Sequence, residues 1–157
     1  MFTQFHKRKR GFSLLEMVIV IIIIGLIYSF AAPKFSRYNL RKKLEFEADK
    51  VAKVIEMTRS ETTANRASMK AVFDSSNETY YYLNATSSGP ENRRDKLNHL
   101  DTSTQFDSAP AELAFKINGG IDGASAPVVI TLRTRGREKI DVTVNHRTGR
   151  VTVGEIY

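Results

Sequence analysis

Cysteine is absent from the 157 residues. No disulfide framework and no thiolate metal site can form without it. Any folded domain is therefore held by packing, or by ions bound through oxygen. Histidine is scarce. Its three copies, His6, His99 and His146, fall before an apolar run, in a polar stretch and beside a turn. Neither the HExxH pattern nor a phosphate-binding P-loop occurs. Nothing in the spacing suggests a base oriented by an acid toward a nucleophile, so an enzyme is not expected. Positive charge is also less abundant than it first looks. The formal charge is +7, but Lys7, Arg8, Lys9 and Arg10 supply four of the positives; without them 20 Lys and Arg face 17 acids, leaving +3. So weak a balance does not mark a nucleic-acid partner.

What the chain does have is one long apolar run. Residues 11–32 read GFSLLEMVIVIIIIGLIYSFAA, directly after the four basic residues. A helix of roughly 20 residues, at about 1.5 Å each, spans a bilayer core. Only Ser13, Glu16, Ser29 and the two glycines resist lipid within it. A secretory signal has a shorter apolar core ending in small residues. Ala31-Ala32 imitates that ending, but the run is too long and carries an acid. The expected break is instead before the run, between Gly11 and Phe12, so that the helix stays in the mature protein. Gly11 lets a protease approach the backbone closely. Glu16 costs roughly 2.5–3.5 kcal/mol in lipid at a helix centre, and less near an end. Such an acid calls for a partner.

These residues carry a resemblance. Lys-Arg-Gly followed by Phe-Ser-Leu-Leu-Glu and an apolar run resembles the class III leader of type IV pilins and type II secretion pseudopilins. The resemblance implies cleavage after Gly11 by a membrane prepilin peptidase and N-methylation of Phe12. It gives Glu16 an assembly role, as partner of the Phe12 amine on its own or a neighbouring chain, and it gives Pro33 the role of a helix kink. Proline acts that way because it lacks an amide proton and crowds the preceding turn.

Past Pro33 the pattern is still helical. Lys34, Arg37, Arg41, Lys42 and Lys43 are expected just outside the lipid. Leu44, Ala48, Val51, Ile55 and Thr58 recur at spacings of three and four, one face of an amphipathic helix. Glu45, Glu47, Asp49, Lys50, Lys53 and Glu56 fall mostly off that face. The spacing predicts a nearly continuous helix from Phe12 to about Ala64, its second half laid on a sheet. From Ser68 the period becomes two. Strands are expected over 69–74 and 79–84, around the polar turn 75–78. Tyr80, Tyr81 and Tyr82 must alternate between faces, with at least one in the core and the others free to form a contact surface. Residues 85–101 have no period and form a long loop, a candidate variable surface. Further strands are expected over 103–106, 112–118, 127–134, 138–145 and 150–155. The fold class is α+β: a long N-terminal helix, membrane-spanning and then amphipathic, packed on antiparallel sheet as in pilins. The divisions are a cleaved leader (1–11), a transmembrane helix (12–33), an amphipathic helix (34–64) and a periplasmic β-rich domain (65–157).

Two further stretches narrow the resemblance. Arg59-Ser60-Glu61 at the helix end, and Thr148-Gly149-Arg150-Val151 near the last hairpin, are similar to the H-type minor pseudopilins and to related pilins. Arg59 and Glu61 also fit a solvated helix end with no special role. The resemblance implies a structural subunit of a type II secretion pseudopilus, held in the bacterial inner membrane until assembly, its domain in the periplasm. Its implied partners are major and minor pseudopilins, the prepilin peptidase, the inner-membrane assembly platform and secreted cargo. One alternative is a minor pilin of a type IV or DNA-uptake pilus; another is a membrane-tethered periplasmic enzyme. Arg133, Arg135, Arg137, Lys139, Arg147 and Arg150 offer contacts to phosphate. The shared strand parity of the first three reads instead as protection of an exposed sheet edge. No cofactor is expected: some pseudopilins bind calcium, but the glycine turn around Asp122 is explained without it.

Overall fold

A computed structural model describes residues 12–87, 89, 92–93 and 97–157, with the backbone alone at 31–33. Contacts divide the chain into two units, one ending at Arg37 and the other spanning Tyr38–Tyr157. One helix, α1 (Leu14–Asn65), contributes to both. Eight strands follow: β1 (Met69–Asp74), β2 (Thr79–Asn84), β3 (Asn98–His99), β4 (Thr104–Ser108), β5 (Glu112–Ala114), β6 (Val128–Thr134), β7 (Lys139–Val144) and β8 (Val151–Val153). They form two antiparallel sheets of four strands, ordered β3-β2-β1-β5 and β4-β6-β7-β8.

In the second unit the helical stripe is wholly covered. Leu44, Ala48, Val51, Ile55 and Thr58 expose none of their surface. Burying aliphatic side chains of this kind stabilises by about 1.5–3 kcal/mol each. The buried threonines are satisfied locally: Thr58 Oγ1 donates to the Val54 carbonyl (2.7 Å) and Thr62 Oγ1 to that of Thr58 (2.8 Å). Glu47 departs from the expected pattern. Its side chain is only 5% exposed, ion-paired through Oε1 with Lys50 Nζ at 2.8 Å. The buried arc is wider than one stripe, and includes Ala52 and Val54 as well.

The two sheets share one core with the helix. Phe106 on β4 meets Phe73 on β1 (centroids 5.9 Å apart) and Tyr80 on β2 (6.3 Å), both edge to face. Glu78, in the β1–β2 turn at φ 53°, accepts the Phe106 N–H through Oε2 at 2.8 Å. A backbone donor of edge strand β4 is thereby satisfied from the other sheet.

Several expectations need correction. All three of Tyr80, Tyr81 and Tyr82 are buried, so none of them offers an exposed contact surface. Their strand is not an edge, because β3 pairs beside it. The described ends of the 85–101 loop return along β2 through β3 and a Leu83–Arg93 bridge, and Leu100 is buried. Residues 88, 90, 91 and 94–96 of that loop lie outside the described residues. The strand expected over 112–118 stops at Ala114, where Phe115 bridges Ile121 across a turn closed by Gly119 at φ 86°. Arg133 does not guard an edge, since β6 lies between β4 and β7. It and Lys139 both reach Asp107, at 3.2 and 2.6 Å. Arg135 and Arg137 follow β6 in its turn to β7, while Arg147 and Arg150 flank the turn at the other end of β7. The six cations therefore form no single row.

The far end of α1 is locked by two turns. At Gly149 (φ 64°) an added Cβ would stand 2.1 Å from the Gly119 carbonyl oxygen, 2.8 Å from Arg59 Cδ and 3.0 Å from the Phe115 ring. At Gly136 it would meet nothing closer than 3.4 Å. Gly149→Ala should therefore cost about 3 kcal/mol or more, while Gly136→Ala stays within about 0.5 kcal/mol. Urea unfolding of the two variants checks this; equal midpoints would show that the turn yields.

Candidate functional site

The functional residues expected from sequence cluster in the first unit. Ser13 precedes α1, whose first ladder bond runs from the Met17 N–H to the Ser13 carbonyl (3.2 Å). Glu16 lies in the first helical turn, where a carboxylate complements the positive end of the helix. Ser13-x-x-Glu16 has the spacing of a capping box, a signal that a search for membrane segments alone overlooks. Phe12 is exposed just before the helix. Gly11 lies outside the described residues, and α1 is continuous through Pro33, whose side chain is likewise not described.

From Leu14 onward the side chains are apolar on every side. The most apolar window of α1 has a mean hydropathy of 2.6, and none of it is buried. By length and composition this helix can cross a membrane. An apolar surface of this extent is not stable in water and marks contact with lipid or other protein. Ser29 Oγ donates to the Gly25 carbonyl at 2.9 Å, which removes one polar group from the surface.

The second unit begins with charge that is already engaged. Arg41 Nε pairs with Glu138 at 2.8 Å, Lys42 with Glu45 at 2.6 Å, and Lys43 with Asp101 at 3.3 Å. Arg41 and Lys43, expected just outside the lipid, thus pin the helix to the β6–β7 turn and to the loop before β4, while Lys42 is paired within the helix. Exposed pairs of this kind are worth at most about 1 kcal/mol each; their effect is placement. The outward face of the helix here carries exposed Tyr38, Phe46 and Met57, with Lys50 Nζ 5.2 Å from the Phe46 ring centre.

Arg59 was missed as a structural residue. Its Nε is buried, without a hydrogen-bond partner among the described residues, and its side chain fills the space between Gly119 and Gly149. Arg59-Ser60-Glu61 and Thr148-Gly149-Arg150-Val151 therefore meet in the fold. No sequence separation foretells that contact. Asp122 is exposed, 3.4 Å from Lys116 Nζ. Among the described residues, no three His, Cys, Asp or Glu side chains are grouped to hold a metal ion.

Comparison with known proteins agrees with both halves. The prokaryotic N-terminal methylation motif matches residues 6–31. The chain is 42% identical over 41 residues to the type IV major pilin protein PilA of Myxococcus xanthus (strain DK1622). That match covers 26% of this chain and 19% of the pilin, so only about a fifth of the relative is spanned. The minor pseudopilin EpsH of the type 2 secretion system of Vibrio cholerae superposes with a TM-score of 0.55 at 14% identity, covering 71% of this chain and 95% of EpsH. The type IV minor pilin FimU of Pseudomonas aeruginosa gives 0.60 at 14% identity, covering 75% and 92%. At such identities the structural likeness concerns the fold alone. In motif and fold the chain is type IV pilin-like, and its single apolar N-terminal helix fits a membrane-anchored protein of that kind.

Asp101 offers a test of the clamp on α1. Its carboxyl is lowered to about 2, first by the Ser103 hydroxyl, then by the Ser103 N–H, with Lys43 adding. A folded-state value below the unfolded one stabilises above about pH 4, and that contribution is lost as pH falls toward 2. Asp101→Asn should be less stable than the parent at pH 7, with the difference vanishing near pH 2 in thermal unfolding scans. A difference independent of pH would show that the carboxylate charge is not what matters.

Proposed function

We propose that this chain is a minor pseudopilin, a structural and non-catalytic subunit of the pseudopilus of a type II secretion system. The observation that carries the reading is the uncovered apolar segment. It makes up most of the stretch matched by the methylation motif, bears one carboxylate, and adjoins a unit whose own helical stripe is already buried. In this reading residues 1–11 are removed by a prepilin peptidase, the Phe12 amine is methylated, and residues 12–33 cross the inner membrane. The amphipathic stretch 34–64 and the β-rich part 65–157 stand in the periplasm. When the assembly platform extracts the subunit, its apolar surface leaves lipid and must find other helices. Their packing rests on dispersion, since lipid and helix are equally apolar. A lone acid then sets the register, because Glu16 is best satisfied opposite a methylated amine of a neighbour. Pro33 gives the helix the bend such packing needs. Exposed Tyr38, Phe46 and Met57 offer contact area for other pseudopilins or cargo.

A second reading, a minor pilin of a type IV pilus, is favoured by the somewhat higher TM-score with FimU (0.60, against 0.55 with EpsH). Both readings use the same parts. Deleting the gene separates them: loss of protein export with surface pili intact supports the pseudopilin, and the reverse supports the pilin. Complementing that strain with Glu16→Ala should restore membrane insertion but leave the deletion phenotype uncorrected, with incorporation into filaments reduced about tenfold or more. Full complementation by this variant would remove Glu16 from the assembly mechanism.

A further inference from the structure

We propose that the β6–β7 turn, Arg135-Gly136-Arg137, docks on the phosphate headgroups of an anionic lipid surface. The inference rests on the reading that residues 12–33 lie in a membrane. The turn stands where the chain enters the second unit. A Cβ on Gly136 would be 4.0 Å from Leu40 Cδ1, and the adjoining Glu138 pairs with Arg41. Leu40 is eight residues after Ala32, so it is tethered within about 28 Å of the apolar segment whatever path the chain takes, with the turn packed beside it.

Charge at this end is unevenly used. Arg41, Lys42 and Lys43 each have a carboxylate partner, in Glu138, Glu45 and Asp101. Arg135 and Arg137 are exposed and, among the described residues, have none. Five cations against three carboxylates leave an excess of two, carried by the turn.

The turn is also rigid. The Thr134 N–H donates to the Glu138 carbonyl (2.9 Å) and the Arg137 N–H to the Thr134 carbonyl (3.0 Å). The Gly136 N–H donates to Thr134 Oγ1 (3.2 Å), and the Arg135 N–H reaches the Ser103 carbonyl (3.2 Å). Arg137 is held at φ 68°, a region that side-chain-bearing residues seldom adopt. Two arginines two positions apart on a fixed tip present planar donors suited to phosphate. Duplex DNA fits less well, because it is held by many phosphate contacts at once. Arg147 and Arg150, also exposed and without an ion pair among the described residues, lie at the opposite end of β7. Docking would hold the domain in one orientation on the membrane before assembly, within the Debye length of the headgroups.

The test uses the full chain in lipid nanodiscs of phosphatidylcholine, alone or with about 30% phosphatidylglycerol. Hydrogen exchange of the peptide covering 134–138 should slow about threefold or more in anionic discs, an effect lost at about 0.5 M salt. The 145–150 turn should not change. R135Q/R137N should abolish the slowing, asparagine being tolerant of positive φ, and R135K/R137K should retain it. Equal exchange in both discs overturns the proposal while the anchor reading stands. So does slowing produced by a duplex DNA fragment but not by anionic lipid. Failure of the chain to co-elute with discs of either composition overturns the anchor reading and the proposal together.

Discussion

One helix has to satisfy two different surroundings, and the rest of the molecule follows from that. In its second part the apolar stripe from Leu44 to Thr58 is consumed by two sheets and exposes nothing. In its first part the apolar surface runs all the way round, and none of it is buried. Among the described residues nothing covers it, so the surface belongs to lipid or to other helices. A carboxylate in the first helical turn is then conspicuous, because either surrounding penalises an acid without a partner.

The globular unit is built to hold its helix firmly without disulfides. At one end two ion pairs, Arg41–Glu138 and Lys43–Asp101, fix α1 to the β6–β7 turn and to the loop before β4. At the other, Arg59 is wedged between the Gly119 and Gly149 turns, at a spacing no larger residue could share. Between them Phe106 and Glu78 join sheet to sheet. In the proposed role the subunit is drawn out of a membrane by its helix, and such attachments would carry that force into the core.

Much of this was legible in the residues. Period-two alternation placed β1 and β2 to the residue and β6 and β7 within one, because each has a core face and an outer face. The helical stripe was legible for the same reason. What escaped was whatever depends on partners distant in sequence. β3 is two residues long and exists because β2 offers an open edge. Tyr81 is buried because that edge is filled and the loop ends return over it, and Glu47 because the helix meets more than one surface. The pairing of β1 with β5 and of β4 with β6 skips over intervening strands, and no local pattern records it. The N-terminal methylation motif was legible from its own residues. What the structure adds is that Arg59-Ser60-Glu61 and Thr148-Gly149-Arg150-Val151, about ninety positions apart in the sequence, touch at Arg59 and Gly149.

The proposed function requires that the apolar segment be retained in the working protein and serve assembly. Intact mass measurement on the chain recovered from membranes of its own cells addresses that directly. The expected polypeptide starts at Phe12 and carries one added methyl group. Mature chains that begin beyond residue 32, with the apolar segment gone, would contradict it.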